Sequence, residues 1–117
     1  MALYRISHAA QDDIASILAW TQDEFGAEAR RRYAVLIATA IRDAASRPTG
    51  PGVTPRPELG DGVFSWHLAR SRSRAPGKVR SPRHFLICRW DGDLLVVGRV
   101  LHDAMELRRH VDSGTWQ

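Results

Sequence analysis

The sequence predicts an α+β fold of order β-α-α-β-β-β, an N-terminal αα-hairpin packed on a small antiparallel sheet with a short C-terminal helix. Three observations carry that reading. Residues 8–46 hold two successive apolar stripes at helical spacing, separated by Gly26. Residues 84–101 hold two runs rich in Phe, Leu, Ile and Val around Asp91-Gly92, a strong hairpin signal. Residues 63–70 alternate apolar and polar side chains, as a strand with one buried face does. A chain of 117 residues supports one modest core, so 1–117 is read as a single domain.

Leu3 to Ile6 is a short alternating run and reads as an opening strand at the sheet edge. Ser7 follows as an N-cap, with Asp12 and Asp13 near the helix start, where anions suit the dipole. Ala10, Ile14, Ile17, Leu18, Thr21 and Phe25 then define a helix over about 8–24 that ends at Gly26. Ala29, Tyr33, Leu36, Ile37, Ala40, Ile41 and Ala44 define a second over about 27–46, stopped by Pro48 and Gly50. So short a connection makes the two helices antiparallel neighbours.

Residues 47–62 contain four prolines and four glycines, which rule out a helix or a central strand. Phe64, Trp66 and Leu68 share one face of the next strand, Ser65 and His67 the other. Residues 71–82 read as a long exposed basic loop. Strands at about 83–90 and 94–101 follow, then a short helix near 104–111 capped by Asp103, with a fraying end.

A two-residue turn at Asp91-Gly92 pairs Trp90 with Asp93, Cys88 with Leu95, Leu86 with Val97 and His84 with Arg99. Phe85, Ile87, Val96 and Val100 then suit the helices. Leu86, Cys88, Trp90, Leu95 and Val97 form an opposite face with no second helical layer to cover it. An uncovered apolar face of that size marks a partner site, although a one-residue slip exchanges the faces.

The net charge is +4 with pI about 10.2, and arginine supplies nearly all of it, Lys78 being the sole lysine. No acid occurs from Gly62 to Trp90, where Arg70, Arg72, Arg74, Lys78, Arg80, Arg83 and Arg89 fall. Such a block implies an anionic partner, nucleic acid or an acidic protein segment, or else a solvated loop. No aromatic residue interleaves with Arg72, Arg74, Lys78 and Arg80, which argues against a platform for single strands. His67, His84, Arg99 and His102 gather near one sheet end. His as acid or base with Arg on a phosphorane-like transition state defines a ribonuclease alternative, built on His84, Arg99 and His102. Their spacing matches no metal motif, and neither metal nor cofactor is expected. The lone Cys88 forms no internal disulfide and fits a reducing cytoplasm as a small buried hydrophobe. The absence of an 18-residue apolar run and of an apolar N-terminal segment predicts a cytoplasmic protein without a membrane span.

The order of several stretches resembles the RelE/ParE superfamily of bacterial toxins, specifically its ParE branch. These stretches are YRIS followed by AAQDDIASI, then FG-x-EA-x-x-x-Y, then RPELGDGVFSW, and finally FLICRWDGDLLVVGRVLHDAMEL. The basic 71–82 insertion is longer than most family hairpins. The resemblance implies a toxin of a type II toxin–antitoxin pair, bound by a cognate antitoxin whose acidic C-terminal segment wraps it. Leu86, Cys88, Trp90, Leu95 and Val97, with Arg70, Arg72, Arg74, Lys78, Arg80 and Arg83, are the expected contacts. It implies DNA gyrase as target, met by surface residues of the helical hairpin and the sheet's far end, with no catalytic residues. The alternative is a metal-independent, ribosome-dependent mRNA endonuclease. Operator DNA is met only through the antitoxin complex.

Overall fold

The computed structural model describes residues 3–46 and 50–117. It contains strand β1 (Leu3–Ile6), helices α1 (His8–Phe25) and α2 (Ala27–Ser46), and strands β2 (Val53–Pro55), β3 (Phe64–His67), β4 (His84–Asp91) and β5 (Leu94–His102). Short 3-10 turns occupy Pro57–Leu59, Leu68–Ser71, Leu107–Arg109 and Ser113–Trp116. Two helices therefore pack on one five-stranded mixed sheet of order β1-β5-β4-β3-β2. Strand β1 runs parallel to β5, and the other neighbours are antiparallel.

Both helices follow their sequence signals. The Ser7 hydroxyl accepts from the Ala10 amide at 3.0 Å and donates to the Gly98 carbonyl at 2.7 Å, so one side chain caps α1 and ties it to β5. Gly26, at φ 94°, ends α1 in a conformation that an L side chain resists. Pro48 as a helix stop lies outside the described residues. Asp13 is not in the first turn, and its partner is not the helix dipole but Arg99. The proline-rich stretch supplies β2, a three-residue edge strand, where a missing amide is tolerated.

The β4–β5 hairpin differs from the expected pairing. Asp91 pairs with Leu94, so Gly92 and Asp93 are the turn residues. Gly92 sits at φ 59°, and no described non-glycine residue has positive φ. A turn centred on Asp91-Gly92 would have forced Asp91 into that region, whereas this one places glycine first. Cys88 pairs with Val97 but Ile87 with Arg99, so Gly98 is the extra residue of a bulge. The bulge reverses alternation along β5 and puts Val97 and Val100, rather than Val96 and Val100, on one face.

The faces are the reverse of those expected. Phe64 and Trp66 of β3 pair with Cys88 and Leu86, which puts all four on the helix side. Leu86, Cys88, Leu95 and Val97 are fully buried there against the α2 stripe of Tyr33, Leu36, Ile37, Ala40, Ile41 and Ala44. The alanines let the helix approach a sheet already filled by Trp66. Phe85, Ile87, Val96 and Leu101 face the other way and are also covered, by Val63 and Trp116, with Leu59, Leu107 and Val111 at the margin. The second layer is the C-terminal tail.

The expected short C-terminal helix takes the form of two 3-10 turns, Leu107–Arg109 and Ser113–Trp116, rather than one helix over 104–111. The tail's end is tied down rather than frayed. Arg5 donates to the Trp116 carbonyl at 2.7 Å, the His8 amide to the Gln117 carbonyl at 3.1 Å, and the Arg89 guanidinium lies 4.6 Å from the Trp116 ring centre. Asp112 and Thr115 form a reciprocal capping box at its last turn. Asp103 caps no helix; its carboxylate binds side chains instead.

Candidate functional site

Two clusters carry the polar residues singled out by the sequence. The first lies where β3, β4 and β5 end together. His84 and His102 are direct cross-strand partners with ring centres 5.3 Å apart. Tyr33 of α2 reaches the same point, its hydroxyl 2.6 Å from Nδ1 of His84. Burial pushes the Tyr33 phenol up to about 12, so the hydroxyl keeps its proton and donates it to the imidazole. Burial, with His102 nearby, pushes His84 down to about 4, and its ring is neutral at pH 7.

His67 accepts from the Ala69 amide at Nδ1 (3.0 Å), which leaves the proton on Nε2, 3.1 Å from Asp103. Arg83 also donates to Asp103, at 3.1 and 3.3 Å. These bonds, His67 first, hold the Asp103 carboxyl below the usual carboxylate range. Nearly every member therefore already has a partner within the chain.

Arg99 does not belong to this cluster. It pairs with Ile87 on the tail-covered face, while His84 shares the helix face with Leu86 through its pairing to His102. Its guanidinium grips Asp13 at 2.7 and 2.8 Å and donates to the His110 carbonyl at 2.6 Å. Asp13 also accepts from the Val100 amide at 2.9 Å. The hydrogen bond to Asp13 raises the Arg99 pKa further, and the ion pair clamps α1, β5 and the tail together.

The second cluster is the basic loop. Its ends are pinned. The Trp66 indole donates to Ser71 at 3.0 Å, and Arg74 donates to Asp43 and to the Arg70 carbonyl, each at 2.9 Å. Arg72, Gly77, Lys78, Val79 and Arg80 line an open depression of about 330 Å³. A second depression, of about 400 Å³, lies at the β2 edge between Val53, Pro55, Pro57, Val63, Phe64 and the half-buried Trp90. Neither is lined by the histidines.

Of the expected antitoxin contacts, then, Leu86, Cys88, Leu95 and Val97 are core residues with no surface to offer. Burial holds the Cys88 thiol protonated as well as inaccessible. Trp90 keeps partial exposure, and Arg70, Arg72, Arg74, Lys78, Arg80 and Arg83 are exposed. Sequence reasoning missed Tyr33, Asp103 and Asp13. Tyr33 stands in an apolar stripe that predicts only packing. Asp13 and Arg99 are 86 residues apart, and nothing local signals their bond. Among the described residues no group of three or more His, Cys, Asp or Glu could hold a metal ion, and no helix is long and apolar enough to cross a membrane.

The geometry defines a small α+β domain with both sheet faces filled. A family model for the ParE toxin of the type II toxin–antitoxin system parDE matches residues 4–107. The chain belongs to the ParE toxin family, and membership implies an antitoxin partner. No curated protein matches it by sequence.

Proposed function

We propose that the chain poisons DNA gyrase and that a cognate antitoxin, bound through an acidic segment, holds it inactive in the cytoplasm. One observation supports a binding toxin over an endonuclease. Arg99, the cation nearest the histidines in the expected register, is committed to Asp13 of α1 and to the His110 carbonyl of the tail. His84 is neutral at pH 7, His67 and His102 are bonded within the chain, and none of the three lines either depression.

The outer surface of the helical hairpin suits a protein target. Trp20 and Phe25 stack edge to face at 5.7 Å while 56% and 66% exposed. Exposed aromatic side chains of this kind anchor protein interfaces. For the antitoxin, Arg70, Arg74 and Arg83 at the margins of the basic block, with the partly exposed Trp90, remain as contacts. Arg74 and Arg83 would exchange their present carboxylates for the antitoxin's.

The mRNA endonuclease is the second reading, and the His84–His102 pair beside Tyr33 is what favours it. Purified toxin separates the two. Inhibition of gyrase supercoiling on relaxed plasmid, with ribosome-bound mRNA left intact, is the expected result. Cleavage of ribosome-bound mRNA that disappears in His84→Ala or His102→Ala, with gyrase unaffected, overturns it.

A further inference from the structure

We propose that the loop between β3 and β4 binds the phosphodiester backbone of a nucleic-acid duplex without reading its sequence. Three exposed cations share this loop, and the stem of a fourth packs against it. Arg72, Lys78 and Arg80 are exposed around one depression. Arg32 of α2 joins them, its aliphatic stem so close to Gly77 that a Cβ there would lie 3.0 Å from its Cγ. Arg72 also donates to the Arg80 carbonyl, which holds the two arms of the loop together. Among the described residues none of the four has a carboxylate partner, unlike Arg74, Arg83 and Arg99. The loop ends are fixed at Ser71, Arg74 and Arg83, so the charges are held in place before any partner arrives.

The surroundings select the partner. Among the described residues the exposed large apolar side chains are Leu3, Tyr4, Trp20, Phe25 and Met105, and none is in this loop. In the depression a docking protein would meet Val79, a small and half-exposed apolar side chain, whereas interfaces draw most of their affinity from larger anchors such as Trp and Tyr. A phosphate backbone needs none, because neutralised phosphates release counterions. No aromatic side chain stands among the four cations to stack an unpaired base, so a duplex fits better than a single strand. Contacts limited to phosphates position a protein without specifying sequence. The site is independent of which enzyme the toxin attacks.

The test is fluorescence anisotropy of the full chain with a labelled DNA duplex of about 20 base pairs, titrated across salt. Four phosphate contacts predict a slope of log K against log[salt] of about −3.6, or about 150-fold weaker binding between about 50 and about 200 mM. The exposed-residue double variant Lys78→Ser/Arg80→Ser should halve the slope to about −1.8 and the loss to about 12-fold, with an unchanged thermal melt. The charge-keeping variant Lys78→Arg/Arg80→Lys should bind as the parent does. Parallel titrations use an RNA duplex, a single strand and poly-glutamate. Tighter binding to the RNA duplex keeps the site and names RNA as its source. The proposal is overturned by no duplex binding at the lowest salt, by a slope that the double variant leaves unchanged, or by tighter binding to poly-glutamate or to the single strand.

Discussion

Gly98→Ala probes the device that sets which side chains reach the core. A Cβ added at Gly98 would lie 2.6 Å from Cγ2 of Thr115, 2.6 Å from Cζ3 of Trp116 and 2.7 Å from Cε3 of the same ring. Carbon atoms pack at about 3.5–4.0 Å, so roughly an ångström must be recovered. The strand cannot retreat. The Gly98 carbonyl is held by the Ser7 hydroxyl at 2.7 Å, and the neighbouring Val97 carbonyl accepts from the Ser7 amide at 2.9 Å. The Trp116 ring cannot swing freely either, because it packs on Val96 and Leu101 beneath the Arg89 guanidinium. Overpacking of this kind costs about 2–3 kcal/mol, at the upper end of the usual range. For a chain of this size that lowers Tm by about 8–12 °C. Trp116→Ala alone should cost about 3–5 kcal/mol as a large-to-small core change. In that background Gly98→Ala loses its two clashes with the indole ring and keeps the one with Thr115, and the two costs should fall short of additivity by about 1 kcal/mol. Urea melts of the four proteins measure the cycle. A Gly98→Ala cost below about 0.5 kcal/mol, or strict additivity with Trp116→Ala, would refute the packing argument.

Two further perturbations test the polar framework. Asp13→Ala removes the acceptor of two Arg99 donors and of the Val100 amide, and should cost about 2–3 kcal/mol, below the range for a fully buried pair because Arg99 keeps 22% side-chain exposure. A loss under about 0.5 kcal/mol in a urea melt would place the pair among ordinary surface bridges. His84 gives a pH dependence. Its folded pKa of about 4 lies below the unfolded value near 6.5, so the unfolded state takes up the proton first as pH falls. Its contribution is complete above about pH 6.5 and drains away toward pH 4. It amounts to about 2 kcal/mol or less once its partial exposure is allowed for. Stability of His84→Gln, measured by urea melts across that window, should be flatter than the parent's. An identical pH profile would show that His84 titrates normally.

The helices were legible because each rests on local signals that tertiary context had no reason to override. The stripe spacing gives the type, Ser7 the start and Gly26 the boundary. The hairpin was legible in kind but not in detail. Asp91-Gly92 announces a turn, yet the cost of positive φ at Asp91 against none at Gly92 decides where the turn sits, and it moves the centre by one residue. Gly98 inside a run of Val and Leu was a visible sign of a bulge, since glycine weakens a strand and often marks one. The exchanged faces have a different cause. Leu86, Cys88, Trp90, Leu95 and Val97 do share a face, as alternation requires. What alternation cannot state is which of two apolar faces the helices take. The answer depended on the pairing of Trp66 with Leu86, and on a tail whose single tryptophan gave no periodic signal.

The filling of both sheet faces changes where function can reside. An open apolar sheet face would have made the hairpin itself the receptor for another chain. With Trp116 on one side and α2 on the other, a partner is left with the helix exteriors, the sheet edges at β1 and β2, and the loops. Charge then separates these surfaces by availability rather than by sequence position. Arg74, Arg83 and Arg99 spend their charge on Asp43, Asp103 and Asp13, and each holds two or more segments together. Of these, Arg99 is the arginine whose loss should loosen the protein, while loss of the more exposed Arg74 or Arg83 should cost little. Arg32, Arg72, Lys78 and Arg80 meet no carboxylate and hold little of the core, so their loss should leave the fold intact and remove binding. A ParE-family chain has little reason to keep unneutralised charges packed together at the cost of mutual repulsion unless an anion meets them. The β3–β4 loop is thus the place where this member's surface is specialised for charge.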